Sequence, residues 1–158
     1  MHHTYRRVVT GHDVDGRAVV MIDELKHEIP DRRPGVGAQV IWSTVGFPVD
    51  NEESGDLALR EVATSETNGT IFRLVSYAPG AAPRNHRTES IDYAVVLSGE
   101  IDMELDGVTV HLSAGDLLVQ RGTIHNWVNR GKENCVIAFV LIGAKPVNAG
   151  GKSLTAIG

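Results

Sequence analysis

A single cysteine, Cys135, rules out an internal disulfide framework. Its place in the apolar run Cys135 to Gly143 reads as a small buried side chain. That run is the best candidate for a membrane span, and it is far too short to cross a bilayer. The first residues, MHHTYRR, lead into charged sequence and lack the apolar core of a secretory signal, so the expected location is cytoplasmic, with no membrane partner. Positive charge is scarce. Fifteen Lys and Arg face 20 Asp and Glu, a formal net charge of −5. The densest basic groups, Arg6-Arg7 and Arg32-Arg33, are too small for a phosphate-binding stripe, so nucleic acid is not an expected partner. No helix-turn-helix segment, long amphipathic helix or internal repeat is visible, which argues against a complete transcription regulator, a helical bundle and a solenoid.

What is present is a β pattern that changes character near residue 68. In residues 1–67, Arg17 to Leu25 and Ala38 to Ser43 read as strands, separated by a charged loop rich in Pro and Gly. Leu57 to Thr64 reads equally as one helical turn or as an extended segment. Residues 68–145 are regular, with expected strands at Ile71 to Ala78, Ser90 to Leu97, Glu100 to Leu105, Val108 to Leu112, Asp116 to Gln120 and Cys135 to Ile142. Glycine-containing turns separate them, and Asp106-Gly107 is the strongest hairpin signal. Phe72, Leu74, Val95, Leu97, Met103, Leu105 and Phe139 read as barrel packing. Many short strands without a long helix predict an all-β sandwich or closed barrel. Residues 146–158 form a Gly-containing tail, expected to be mobile or packed on a neighbour.

Three residues carry potential chemistry. Strand alternation puts positions 86, 88, 90 and 92 on one face, so His86 and Asp92 can share the barrel interior, and His125 arrives from a later strand. Two imidazoles and a carboxylate suit a divalent Fe, Mn, Ni or Zn with positions left open for substrate. Without metal, the same residues suit acid–base or hydrogen-bonding roles.

The spacing Gly80, His86, Thr88, Asp92, Gly99 resembles the first motif of the cupin family. Gly115-Asp116 through Gly122, His125 and Asn129 resembles the second motif. This resemblance, over roughly residues 71–143, implies a jelly-roll β-barrel with a metal site inside it. It also implies a homodimer, with N-terminal strands exchanged between subunits. His86, Asp92 and His125 would be both the metal ligands and the catalytic residues. Three features depart from the pattern: Thr88 stands where a second histidine is usual, Asp92 where glutamate is usual, and Arg121 where proline is usual. Thr88 is then a hydroxyl that orients water or substrate. Glu89 is the rival carboxylate. Arg121 and Arg84 near the mouth can grip a substrate carboxylate. Tyr93 and Trp127 flank the motifs, and Trp127 is also a candidate substrate wall. The implied activity is decarboxylation, dehydration, isomerisation or dioxygenation of a compact aromatic or polyketide-like acid. The alternative is a non-catalytic barrel that binds or senses a small ligand.

Overall fold

The computed structural model describes residues 1–158. It contains thirteen strands and no α-helix. The strands are β1 (His2–His12), β2 (Ala18–Glu28), β3 (Asp31–Arg33), β4 (Val36–Val45), β5 (Gly69–Tyr77), β6 (Ser90–Ser98) and β7 (Glu100–Glu104), then β8 (Thr109–Ser113), β9 (Leu117–Arg121), β10 (Asn126–Val128), β11 (Cys135–Gly143), β12 (Val147–Ala149) and β13 (Lys152–Leu154). A 3-10 turn at Leu57–Leu59 is the only helical element. The segment that follows it to Thr64 is not helical. No helix is long and apolar enough to cross a membrane.

Two antiparallel sheets make the barrel. The larger runs β3-β4-β5-β11-β6-β9 and the smaller runs β10-β7-β8. Between them lies one apolar cluster. The large sheet contributes Ile71, Val75, Ala94, Val96, Ile137 and Phe139, and the small sheet contributes Ile101, Met103, Leu112 and Trp127. This is the double-sheet jelly roll expected from the sequence. The β7–β8 hairpin turns at Asp106-Gly107, closed by Leu105 N–H donating to the Val108 carbonyl at 2.7 Å. Only Gly107 takes a positive φ there, 74°. Gly99, also at φ 74°, has a different reason to be glycine. A Cβ there would lie 2.6 Å from the Asn134 carbonyl oxygen, where the β6–β7 turn crosses the start of β11. Cys135 is fully buried beside this crossing, and burial pushes its thiol up to about 12, so it stays protonated and inert.

Strand parity corrects part of the expected core. On β6 the inward residues are Asp92, Ala94 and Val96, whereas Val95 and Leu97 are exposed. On β5 the inward set is Ile71, Arg73, Val75 and Tyr77. Leu74 faces outward and is covered by a second small cluster with Ile29 and Val136, against which Tyr5 and Ile41 pack. Met103 and Phe139 are core, as expected.

Tyr5 belongs to the N-terminal hairpin. β1 pairs with β2 of its own chain, which satisfies the ladder that an isolated N-terminal strand would leave open. Arg7 ties this hairpin to the barrel side. Its guanidinium meets Glu24 at 2.7 Å and Asp56 at 2.5 Å, and donates to the Ile41 carbonyl at 3.3 Å. Arg7 is only 8% exposed, so its removal would strand two partly buried carboxylates. Arg7→Ala is expected to cost about 2–3 kcal/mol. Hydrogen exchange should register this as early loss of protection in β1 and β2 while the barrel amides stay protected; unchanged protection in the hairpin would refute the role given to Arg7. The tail is neither free nor displaced. After the β12–β13 hairpin it returns to the barrel mouth, where Arg87 and Ile157 exchange backbone hydrogen bonds at 2.9 and 3.0 Å.

Candidate active site

His86 and His125 meet because their backbones do. The two residues form an antiparallel bridge, each N–H donating to the other's carbonyl at 2.9 Å. Directly paired residues project to the same face, which brings their rings together, centroids 4.1 Å apart and tilted by 54°. The structure interrupts the strand expected over 86–92. His86 sits in the isolated bridge and β6 begins at Ser90. The alternation nonetheless survives, and Thr88, Ser90 and Asp92 are all buried.

Each imidazole is oriented from below. His86 Nδ1 lies 2.9 Å from the Arg84 carbonyl and His125 Nδ1 lies 3.0 Å from the Thr123 carbonyl. A carbonyl oxygen only accepts, so both Nδ1 atoms carry hydrogen and both Nε2 atoms keep a free lone pair. Burial lowers the pKa of both residues, to about 4 for His125. At neutral pH the pair is therefore uncharged.

The two rings line a cavity of about 760 Å³, whose wall also includes Thr88, Asp92, Gln120 and Trp127. Asp92 is 4% exposed, and burial raises its pKa against the opposing effects of Ser90 and Arg73. Ser90 Oγ lies 2.5 Å from Asp92 Oδ1 and 2.9 Å from Thr88 Oγ1. One hydroxyl proton cannot serve both contacts. With Asp92 ionised, Ser90 donates to Asp92 and receives from Thr88. Gln120 stands opposite Asp92 on β9, deeply buried. Its amide nitrogen reaches only the Met103 sulfur at 3.8 Å, and its Oε1 has no partner. Trp127 closes the floor, edge-on to both Phe139 (5.7 Å) and His125 (6.0 Å).

The expected site residues separate into two groups. His86, Thr88, Asp92, His125 and Trp127 all reach the cavity. Arg121 does not: it follows inward Gln120 on β9, so alternation turns it outward, exposed and away from the cavity wall. Glu89 also turns away, accepting from the Ala156 backbone N–H at 3.1 Å. Arg84 is at the mouth, with Nη2 donating to the Gly158 carbonyl at 2.6 Å.

The reading missed Gln120 and Arg73. Arg73 occupies an inward position of β5, directly between Val40 and Phe139. The parity of Ile71, Arg73 and Val75 was the available signal.

For a divalent metal, the donors fit only in part. The two Nε2 atoms are suitable ligands held by suitable carbonyl partners. No third His, Cys, Asp or Glu joins them in a group able to hold a metal, so Asp92 stands apart from the pair.

Comparison with known proteins agrees with this architecture. The family model for the cupin domain matches residues 73–142. Phomopsin biosynthesis cluster protein C' of Diaporthe leptostromiformis is 38% identical, the match covering 96% of this chain and 85% of that protein. The chain belongs to the cupin family. Another relative of this cupin is the cupin-domain-containing oxidoreductase fogC of Aspergillus ruber, 32% identical over 94% of this chain and 77% of its own. Among solved structures, an RmlC-like cupin from Shewanella frigidimarina matches the fold with a TM-score of 0.50 and 19% identity, over 74% of this chain and 84% of that one.

Proposed function

We propose that this cupin is an enzyme for a compact oxygenated small molecule, with His86 and His125 as its reactive pair. The observation that carries the reading is the pair of adjacent imidazoles lining the cavity, each fixed through Nδ1 to a carbonyl so that its Nε2 stays free. A neutral imidazole with a free Nε2 can take a proton from one substrate atom, becoming imidazolium, and return that same proton to another, while the second ring stays neutral beside it. That is the requirement of enolisation, on which isomerisation and dehydration of oxygenated substrates depend. Asp92 sits on the same wall, its carboxyl group linked through Ser90 to the Thr88 hydroxyl. Trp127 and Phe139 supply an apolar floor. The names of relatives such as fogC and the phomopsin cluster protein support a role in small-molecule chemistry.

Fe, Mn, Ni or Zn would find two imidazole ligands here and no protein carboxylate grouped with them. Titration with Ni(II) or Zn(II) is expected to give weak, chelator-reversible binding. It should be lost in His86→Ala or His125→Ala and unaffected by Asp92→Asn. Tight binding that needs Asp92 would contradict this placement. The alternative, a non-catalytic binding barrel, draws support from Asp92 and Thr88, both already tied to Ser90.

Turnover separates the two readings. The protein is incubated with a panel of hydroxy-, keto- and enol-bearing acids and ketones, and products are followed by mass spectrometry. At least one compound should be converted, and His86→Ala and His125→Ala should each lower the rate by about 10²- to 10⁴-fold. No conversion across the panel, or full activity in both variants, would sink the catalytic reading.

A further inference from the structure

The cavity wall holds five arginines but only two carboxylates, Glu61 and Asp92, in a chain whose net charge is −5. Positive charge is therefore concentrated where a ligand would lie. Four of these arginines are tethered. Arg60 pairs with Glu53, Arg33 donates to the Ala82 carbonyl at 2.6 Å, Arg32 to the Ala38 carbonyl at 3.2 Å, and Arg84 to the Gly158 carbonyl.

Arg73 is different. It stands at an inward position of β5, in a row with Val40 and Phe139 and two residues from Val75, all of them lining the cavity. It makes no ion pair. Its one hydrogen bond is from Nη2 to the Ala63 carbonyl at 2.9 Å, and its buried Nε has no acceptor. A guanidinium keeps its charge at any ordinary pH, and placing that charge among apolar side chains is costly unless an anion meets it. Nothing in the chain supplies that anion at contact distance. Gln120 Oε1 and Arg60 Nη1, on residues of the same wall, are also buried without a partner. A guanidinium without a counter-ion on this wall favours a ligand that is anionic where it meets Arg73.

We propose that Arg73 is the specificity-determining anchor for a carboxylate on the ligand, whose apolar body lies against Phe139, Val40 and Val75. The two Nη groups of Arg73, of which only Nη2 has a partner, offer the fork that a carboxylate accepts in two parallel hydrogen bonds. This deepens the catalytic reading, since it rests on the same cavity, but it concerns binding alone.

The test compares carboxylates with uncharged isosteres of the same shape. Benzoate and benzamide, and cinnamate and cinnamamide, are titrated into the full chain and followed by NMR through the Trp127 indole and Arg73 Nε–H signals. At least one carboxylate should bind about 10- to 100-fold tighter than its amide. Arg73→Leu should erase that preference while leaving amide affinity unchanged, and Arg73→Lys should keep part of it. Loss of an unpaired buried charge is compatible with folding, and the amide titration reports that the cavity is intact. Equal affinity of every carboxylate and its amide, or a preference that persists in Arg73→Leu, overturns the proposal. Because the readout is binding, His86→Ala and His125→Ala should retain the preference. Failure of turnover therefore leaves this inference standing, and failure of the carboxylate preference leaves the histidine pair untouched.

Discussion

Trp127→Ala is expected to lower the unfolding free energy by about 3–5 kcal/mol. Trp127 is 4% exposed and lies where the small sheet meets the large one. On its own sheet it pairs with Met103. Across the core it meets Phe139 edge-on at 5.7 Å and Tyr77 at 6.1 Å. Truncation removes the transfer free energy of the indole and these aromatic contacts, and leaves a void that the rigid strands on either side cannot close. Trp127→Phe keeps an aromatic ring against Phe139 and should cost clearly less. Urea unfolding at constant m-value is the measurement, and a loss below about 1 kcal/mol for the alanine variant would mean that Trp127 serves the cavity wall more than the core. The same variant should loosen His125, whose ring rests against the indole edge at 6.0 Å. Stability and site geometry are thus coupled through one side chain.

Most of the barrel was legible because its strands obey two rules at once: alternating polarity, and glycine at the turns. Ser90 to Leu97 and Glu100 to Leu105 became β6 and β7 with ends shifted by one residue. What alternation does not reveal is which face is inside when both faces are apolar. Leu74 is buried outside the barrel under the N-terminal hairpin, so β5 carries apolar residues on both faces and Arg73 looked outward by default. Val95 and Leu97 mislead in the same way, being large, apolar and exposed. The consistent clue was Asp92: a residue assigned to the interior brings Ala94 and Val96 with it. β1 was invisible for a different reason. Its one buried position is Arg7, whose burial depends on Glu24 and Asp56, distant in sequence. A strand whose inward residue is charged carries no hydrophobic period to find. For the candidate site, the motif spacing picked out His86 and His125, which meet at the cavity, but the outward turn of Arg121 follows from strand parity, which spacing alone does not fix.

Acid should destabilise this protein well above the range in which carboxylates titrate. His125 has its pKa lowered from 6.5 to about 4 by burial, with the neighbouring His86 acting in the same direction, and His86 itself is lowered by burial. Between those values the unfolded chain binds a proton that the folded chain refuses, so stability rises with pH and is lost as pH falls from about 6.5 to about 4. A displacement of this size corresponds to about 3 kcal/mol for His125. Two groups act against the trend. Asp92 is raised by burial, which favours the folded state as acid protonates it. His111, raised by its hydrogen bond to Asp102, also favours the folded state in acid, but it lies on the exposed surface, where solvent screens the effect. Asp23, Asp56 and Asp102 are held low by Arg6, Arg7 and His111 respectively, so their loss comes later, below the histidine window. The wild type should therefore lose stability steadily from pH 6.5 downward, while His125→Gln, which cannot titrate, should be much flatter over the same interval whatever its absolute stability. Denaturant titrations at half-unit pH steps measure both slopes. Parallel slopes for the two proteins would mean that the His125 imidazole is charged in the folded state, and the neutral histidine pair on which the proposed chemistry depends would not exist.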